Sequence, residues 1–537
     1  MKKNTIHMLL ASLCLGGFAI SCTKSIDYGT DPYGTSEHAF DLKFADAAPS
    51  PSQARPGEEV TYKLVGLSGI DKTAMTFFVN NNPSEIIAAT DSTITVRLPE
   101  TVSTGSARLV INGQTFAGPL TPIIGKVAID PIFNAGTGAS GILHTIKRLN
   151  NGQFFLGGNF DDYNGSKALS EINGIARITA TGEFVSGMAF GEGAKGGTIN
   201  NIVELPDGRL FVAGNFSQYD TDKTVRSMSI LNVSGSLNKE SVEILNLTDD
   251  PTKGTLNVPV FNGGVLDGGI VKAFYRDNKI TVVGGFKRYT SNYYARSTYN
   301  QILSDYFQSA SIARVNLDGS LDSTFLVDNS SFPKRGSYGV NGGVFDATMD
   351  DKGTLTMVGS FTQYNNKISA SRILRLKTSG ELDTEFNAGV GADNTIYKIV
   401  PVGNKFYLIG SFLNYKGQQT NNIVLINADG SVDPSFKAKS FTGGIPDYLA
   451  VLDNGLLLVS GTFKRYDNVI REGLMILNSD GSLAKGYNNT GRFLGSVTDS
   501  YIGVNSIGQR TITLVGLILS FNGKSDLGNI VRLTIQD

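Results

Sequence analysis

The sequence predicts an all-β protein: an immunoglobulin-like sandwich followed by a seven-bladed β-propeller. Three observations lead there. The chain carries 63 glycines in 537 residues, well above the ~7% of ordinary chains, as a fold with many tight turns requires. A Gly-x-Phe tripeptide recurs at Gly158-Asn159-Phe160, Gly214-Asn215-Phe216, Gly284-Gly285-Phe286, Gly359-Ser360-Phe361, Gly410-Ser411-Phe412 and Gly461-Thr462-Phe463, with a degenerate seventh at Gly516-Leu517-Ile518. Five residues after each first glycine stands an aromatic: Tyr163, Tyr219, Tyr289, Tyr364, Tyr415, Tyr466 and Phe521. Two linked positions recurring together mark stacked supersecondary units.

Residues 1–21 read as a secretory leader, with Lys2 and Lys3 ahead of an apolar run that is too short for a stable membrane span. Residues 22–39 lack apolar periodicity and read as a tether. Between 40 and 125, a Pro-Gly turn at Pro56-Gly57 opens a series of short alternating strands separated by Asn-, Asp- and Gly-bearing turns. That spacing predicts the sandwich.

From 126 to 537 the repeats take over, at about 60 residues each. The stretch 386–436 shows the plan: apolar runs at 396–402 and 405–411 meet at Gly403-Asn404, and a third run at 423–427 ends at Asp429-Gly430. These are a hairpin and a third strand, with the turn chemistry that hairpins demand. The last unit stops at its third strand, whereas Lys126 to Asn134 precede the first unit and look like a displaced last strand. That segment is expected to complete the final blade and lock the ring.

Three resemblances rest on these residues. Ala19-Ile20-Ser21-Cys22 resembles the lipobox of bacterial lipoproteins, which implies that Cys22 is diacylated and becomes the new N-terminus. It implies a membrane partner through a lipid anchor, at the outer membrane and cell surface, with the periplasmic face as the alternative. The segment 40–125, with Gly105-Ser106-Ala107-Arg108-Leu109-Val110-Ile111-Asn112-Gly113 near its close, resembles the IPT/TIG family of spacer and interaction modules. The run Ile312-Ala313-Arg314-Val315-Asn316-Leu317-Asp318-Gly319-Ser320-Leu321-Asp322, with the Gly-x-Phe and Phe-Asn landmarks, resembles the delta-60 repeat of bacterial β-propellers. The combination is similar to Bacteroidota surface lipoproteins, some of them found with nutrient-uptake machinery.

Composition excludes several functions. A net charge of −1 without a basic stripe leaves no nucleic-acid partner. The cysteines, Cys14 and Cys22, both lie at the extreme N-terminus, so the body has no disulfide, thiolate metal site or cysteine nucleophile. Beyond the leader the histidines are His38 and His144, which argues against a Ser-His-Asp triad or a zinc site. Gly136-Thr137-Gly138-Ala139-Ser140-Gly141 spells a dinucleotide fingerprint, but without a βαβ context it reads as an inter-blade turn. No cofactor or metal is expected, and the Asp-Gly elements supply too few oxygen ligands for calcium.

One unit departs from the others. The third carries an insert between Phe286 and Arg314 with Tyr293, Tyr294, Tyr299, Tyr306 and Phe307 beyond the repeat's own Tyr289. Long loops on a rigid scaffold carry function, and flat aromatic faces bind sugars or proteins, so these five are the candidate binding residues. The expectation is a non-enzymatic surface protein that binds a glycan or serves nutrient uptake. The alternatives are a protein-interaction or adhesion scaffold and a propeller hydrolase or lyase with axial carboxylates. Clustered aromatics on one face would favour binding; convergent axial carboxylates with Lys or Arg would favour an enzyme.

Overall fold

A computed structural model describes residues 41–168, 171–330, 332, 334–386 and 389–537. Cys22, the leader and the tether lie outside the described residues. Alternating burial along Glu59–Val65, with Val60, Tyr62 and Leu64 inward, sets the pattern of the N-terminal domain. Its strands are β1 (Lys43–Phe44), β2 (Glu59–Val65), β3 (Met75–Val79), β4 (Asn82–Ala89), β5 (Thr93–Arg97), β6 (Gly105–Ile111) and β7 (Gln114–Thr121), in the order β1-β2-β5-β4-β3-β6-β7. The first half of β4, Asn82–Ser84, pairs with β3, and from Glu85 on it pairs with β5, with a bulge between Ile86 and Ala88. This strand therefore passes between two sheets that enclose Tyr62, Phe77, Ile94, Val96 and Leu109. The result is an immunoglobulin-like sandwich.

Beyond it, antiparallel sheets follow in chain order and form a β-propeller. Their inner strands, nearest the axis, are Ile142–Arg148, Thr198–Glu204, Ile270–Arg276, Val344–Met349, Ile396–Val402, Pro446–Val451 and Phe493–Val504. Each pairs with a middle strand that ends in the signature glycine or runs through it. At that glycine every inner strand carries a β-bulge. The register skips His144, Asn200, Val271, Phe345, Tyr397, Asp447 and Thr498 in turn.

The bulge explains the glycine. A Cβ on Gly359 would lie 1.9 Å from the Gly343 carbonyl oxygen, and one on Gly410 would lie 2.1 Å from that of Thr395. No side chain fits there. The repeat aromatic has its own cause: Tyr163, Tyr219, Tyr415 and Tyr466 are buried and donate to the carbonyls of Gly182, Gly235, Gly430 and Gly481 (2.9, 3.1, 3.2 and 2.6 Å). Each bond ties the Gly-x-Phe corner to the unit's distal turn.

The Arg and Asp-x-x-Phe landmarks form a third device. Arg314 pairs with Asp322 (2.7 Å) and Arg375 with Asp383 (2.6 Å), while each guanidinium covers Phe325 or Phe386 at 4.3 and 4.6 Å. In the last unit Arg532 finds the same partners at the other end of the propeller chain, Asp130 at 2.7 Å and Phe133 at 4.7 Å. Here β8 (Val127–Ile129) pairs antiparallel with Ile530–Ile535. The final sheet is thus completed by the first residues of the propeller, which closes the ring. Asp130 and Arg532 are almost wholly buried, so neither charge is tolerable without the other.

The sandwich docks on the sixth and seventh units. Thr104 N–H donates to the Asn489 carbonyl (2.9 Å), Asn489 Nδ2 to Val102 O (3.0 Å) and Arg471 Nη1 to Thr101 O (3.2 Å).

Candidate functional site

A bulge leaves backbone groups of the inner strand without ladder partners, and the axis is where they point. Neighbouring units supply the missing bonds. At the skipped position Asn200 Nδ2 donates to Ile270 O (2.8 Å) and Thr498 Oγ1 to Leu143 O (2.7 Å), each one unit onward. At the next position Asn201 Oδ1 accepts from Ala273 N–H (3.2 Å), Asp346 Oδ2 from Ile399 N–H (3.2 Å) and Asp499 Oδ2 from Ile146 N–H (3.1 Å). The Thr498 and Asp499 bonds run from the last unit to the first, so they also tie the two ends of the ring together. Axial polarity is therefore first of all a structural need. Asp346 and Asp499 are fastened to backbone amides.

Asp447 breaks the pattern. It holds the same skipped position as Asn200 and Thr498, which are donors, but a carboxylate has nothing to donate. Ser496 Oγ donates to its Oδ2 (3.2 Å), and its Oδ1 is buried without a partner. Burial pushes its pKa up to about 6, against the Ser496 bond and the Lys398 charge, which pull it down. Lys398, on the preceding unit, donates to the Thr498 carbonyl (3.1 Å) and lies 4.6 Å over the Tyr448 ring. Burial depresses its pKa, the Lys272 charge adds to this, and the axial carboxylates oppose it. Neither Asp447 nor Lys398 has an opposite charge within 4.0 Å among the described residues.

Lys272 differs: burial works against its ammonium, but Asp346 at 3.8 Å and the Asp499 charge outweigh that and leave its pKa raised. Its side chain remains 28% exposed, so the axis is lined by protein yet open to water.

At the level of Asp447, two adjacent units place aromatic rings at the skipped position. Phe345 is 48% exposed and meets Tyr397 edge-on at 6.1 Å, from adjacent units. The inner and middle strands of the seventh unit run on for 12 residues each and carry exposed Leu494, Leu517 and Leu519. His144 occupies the skipped position of the first unit, half-buried, with its pKa lowered by burial. Among the described residues no group of three or more His, Cys, Asp or Glu is placed to hold a metal ion.

The tyrosine insert lies elsewhere, on the rim of the third unit. Arg288–Asn292 and Ser304–Gln308 form its hairpin, and a short 3-10 turn at Tyr294–Arg296 caps it. Tyr293, Tyr299 and Tyr306 are exposed. Tyr294 is half-buried, its hydroxyl accepting from Asn292 Nδ2 (3.2 Å), and Phe307 packs on the unit's core. A second insert, the hairpin Lys239–Glu243 with Thr255–Pro259, joins it: Leu245 N–H donates to Ser297 O (2.8 Å). Exposed Leu245, Leu247 and Leu303 extend the rim surface.

On the face bearing the Asx-Gly hairpins, a crevice of about 230 Å³ brings Arg276, Lys279, Arg314 and Lys377 together. Lys279 and Arg314 are both held by Asp322 (3.2 and 2.7 Å).

Residues 19–119 match the model of a domain of unknown function, DUF5008. Residues 297–325, 353–386 and 404–436 match that of a domain of unknown function described as a beta-propeller, DUF5122. No curated protein matches the chain in sequence. Among solved structures, a protein of unknown function from Bacteroides thetaiotaomicron is 12% identical over 94% of this chain and 99% of its own, with a TM-score of 0.26. An auxiliary nutrient binding protein from Bacteroides ovatus is 10% identical (92% and 97% covered, TM-score 0.31), and one from Bacteroides thetaiotaomicron is 11% identical (92% and 97%, TM-score 0.30). Likenesses this distant transfer neither ligand nor partner to this chain.

Proposed function

We propose that this protein is a surface nutrient-binding lipoprotein whose propeller holds a saccharide at its axial mouth without cleaving it. Asp447 carries the reading: its Oδ1 is buried without a donor, at the position where two other units place the Asn200 amide and the Thr498 hydroxyl. Ionisable groups kept at a structural disadvantage mark functional sites. Beside it, Phe345 and Tyr397 offer the flat apolar faces against which sugar rings stack. Hydrolysis by paired carboxylates needs a second free acid at a defined separation, and Asp346 and Asp499 are engaged with backbone amides. The reading as an auxiliary to nutrient uptake agrees with the names of the two Bacteroides structures, but rests on the site.

The mature chain with Cys22→Ser, which keeps it in solution, is screened against a glycan panel by calorimetry. Binding is expected, with loss on Phe345→Ala and on Asp447→Ala. Binding untouched by both substitutions, or release of shortened saccharide in the same incubation, refutes the proposal. The anchor is tested separately: a labelled fatty acid fed to the producing cells should enter the wild-type chain and not Cys22→Ser.

The exposed rim formed by Tyr293, Tyr299, Tyr306, Leu245, Leu247 and Leu303 favours a second activity, docking of a protein partner. Large apolar side chains left exposed on two joined inserts are candidates for a partner to cover.

A further inference from the structure

We infer that the axial site receives its saccharide end-on and that the end it reads is uncharged and bears hydroxyl groups. This rests on the axial-mouth reading above and narrows it to a ligand class.

The electrostatics decide the charge. Asp447 and Lys398 stand on adjacent units, opposite in sign and without ion-pair partners among the described residues. Asp447 Oδ1 lacks a donor, while Oδ2 has the Ser496 hydroxyl, and Lys398 has one ammonium bond, to the Thr498 carbonyl, besides its contact with the Tyr448 ring. A hydroxyl donates and accepts at once. One hydroxyl, or two on neighbouring carbons, can donate to the carboxylate and accept from the ammonium, serving both groups without adding charge. A ligand carboxylate would serve Lys398 but face Asp447, with Asp346 and Asp499 behind it; a ligand amine would serve Asp447 but face Lys398 and Lys272. Each charged ligand group would thus meet more like charges than opposite ones, and between partly buried groups this repulsion offsets the attraction gained.

The topology decides the direction of entry. The bulged strands form a closed ring, and beyond the bulge its lining is buried at Thr145, Asp346 and Tyr448. Phe345, at the bulge itself, stands exposed. A chain lying across the mouth would meet Phe345 and Tyr397 and miss Lys398. A terminal residue can stack on the Phe345–Tyr397 pair, meet Asp447 at the same level of the ring and reach Lys398 one position deeper.

The test uses the Cys22→Ser mature chain and calorimetry with four probe sets of six residues: linear neutral gluco-, xylo- and manno-oligosaccharides, the cyclic glucan, a linear uronic-acid oligosaccharide and a linear glucosamine oligosaccharide. At least one linear neutral series is expected to bind. The cyclic, acidic and amino probes should be at least tenfold weaker. Asp447→Asn and Lys398→Met should each lose at least tenfold for the neutral ligand, with thermal melting confirming that both variants fold. Cyclic glucan binding as well as its linear counterpart overturns end-on entry. The acidic or amino probe binding best overturns the uncharged class, while the axial reading survives if Phe345→Ala still abolishes that binding. Absence of binding by every probe, or binding indifferent to Phe345→Ala, overturns both.

Discussion

Replacing Asp447 by asparagine should stabilise this protein at neutral pH while weakening its ligand. The amide keeps an oxygen for the Ser496 hydroxyl and adds the N–H that Asn200 provides at the same position of the second unit. The magnitude follows from the carboxyl pKa, about 6 in the fold against 3.8 ordinarily. A difference of about two units at about 1.4 kcal/mol each means that the ionised carboxylate costs about 3 kcal/mol above pH 6. The sign is that of a raised acid: between the two pKa values the folded protein binds more protons than the unfolded chain. Stability therefore falls as pH rises through 4 to 6, and the penalty is complete above the folded value. Asp447→Asn should then exceed wild type by up to about 3 kcal/mol at pH 8, with the gap closing toward pH 4. Urea unfolding at half-unit pH steps, comparing midpoints at constant slope, measures it. A variant no more stable than wild type at pH 8, or a gap that ignores pH, refutes the assignment of Asp447 as a group held at a cost.

Three further outcomes are expected. Asp130→Ala strands the buried Arg532 guanidinium and opens the ring latch, so it should destabilise by about 3–5 kcal/mol, read as a lowered unfolding midpoint; Asp46→Ala, on the exposed surface of the sandwich, should leave the midpoint in place. Gly410→Ala drives a methyl into the Thr395 carbonyl and should cost about 1–3 kcal/mol or more, whereas Gly417→Ala, which meets nothing within 4 Å, should lose only what its left-handed backbone demands. If the rim docks a protein, Tyr299→Ala with Tyr306→Ala should remove a partner cross-linked to the wild-type chain yet leave axial saccharide binding unchanged; retained cross-linking refutes the rim.

The propeller was legible because its signature residues answer to backbone geometry that every unit shares. Gly410 is glycine because of a bulge, Tyr415 is tyrosine because a turn carbonyl needs a donor, and Arg375, Asp383 and Phe386 are a single stacked ion pair. Such causes recur and so print a periodic text. The axial residues escaped notice for the opposite reason. His144, Asn200, Val271, Phe345, Tyr397, Asp447 and Thr498 are equivalent in space but share no side-chain chemistry, and the bulge that aligns them is visible only as strand register. Aligning the units on the signature glycine and reading the preceding strand would have collected them, though not the missing partner of Asp447. The insert in the third unit was visible as extra length and extra tyrosine; that Tyr294 is half-buried beside a second insert, the Lys239–Glu243 hairpin, was not, because that hairpin has no aromatic excess to announce it, and Phe307 turns into the unit's own core.

The latch also gives biosynthesis a direction. Asp130 and Arg532 are 402 residues apart, so at about 5–20 residues per second the first waits roughly 20–80 s for the second to be made. Throughout that interval Val127–Ile129 has no strand to join, and unpaired strands invite wrong partners. A chain that stops short of its last strand can build its earlier sheets but cannot close the circle. Completion of the ring is thus a checkpoint on full-length translation, and truncated products should betray themselves to proteases by an open edge.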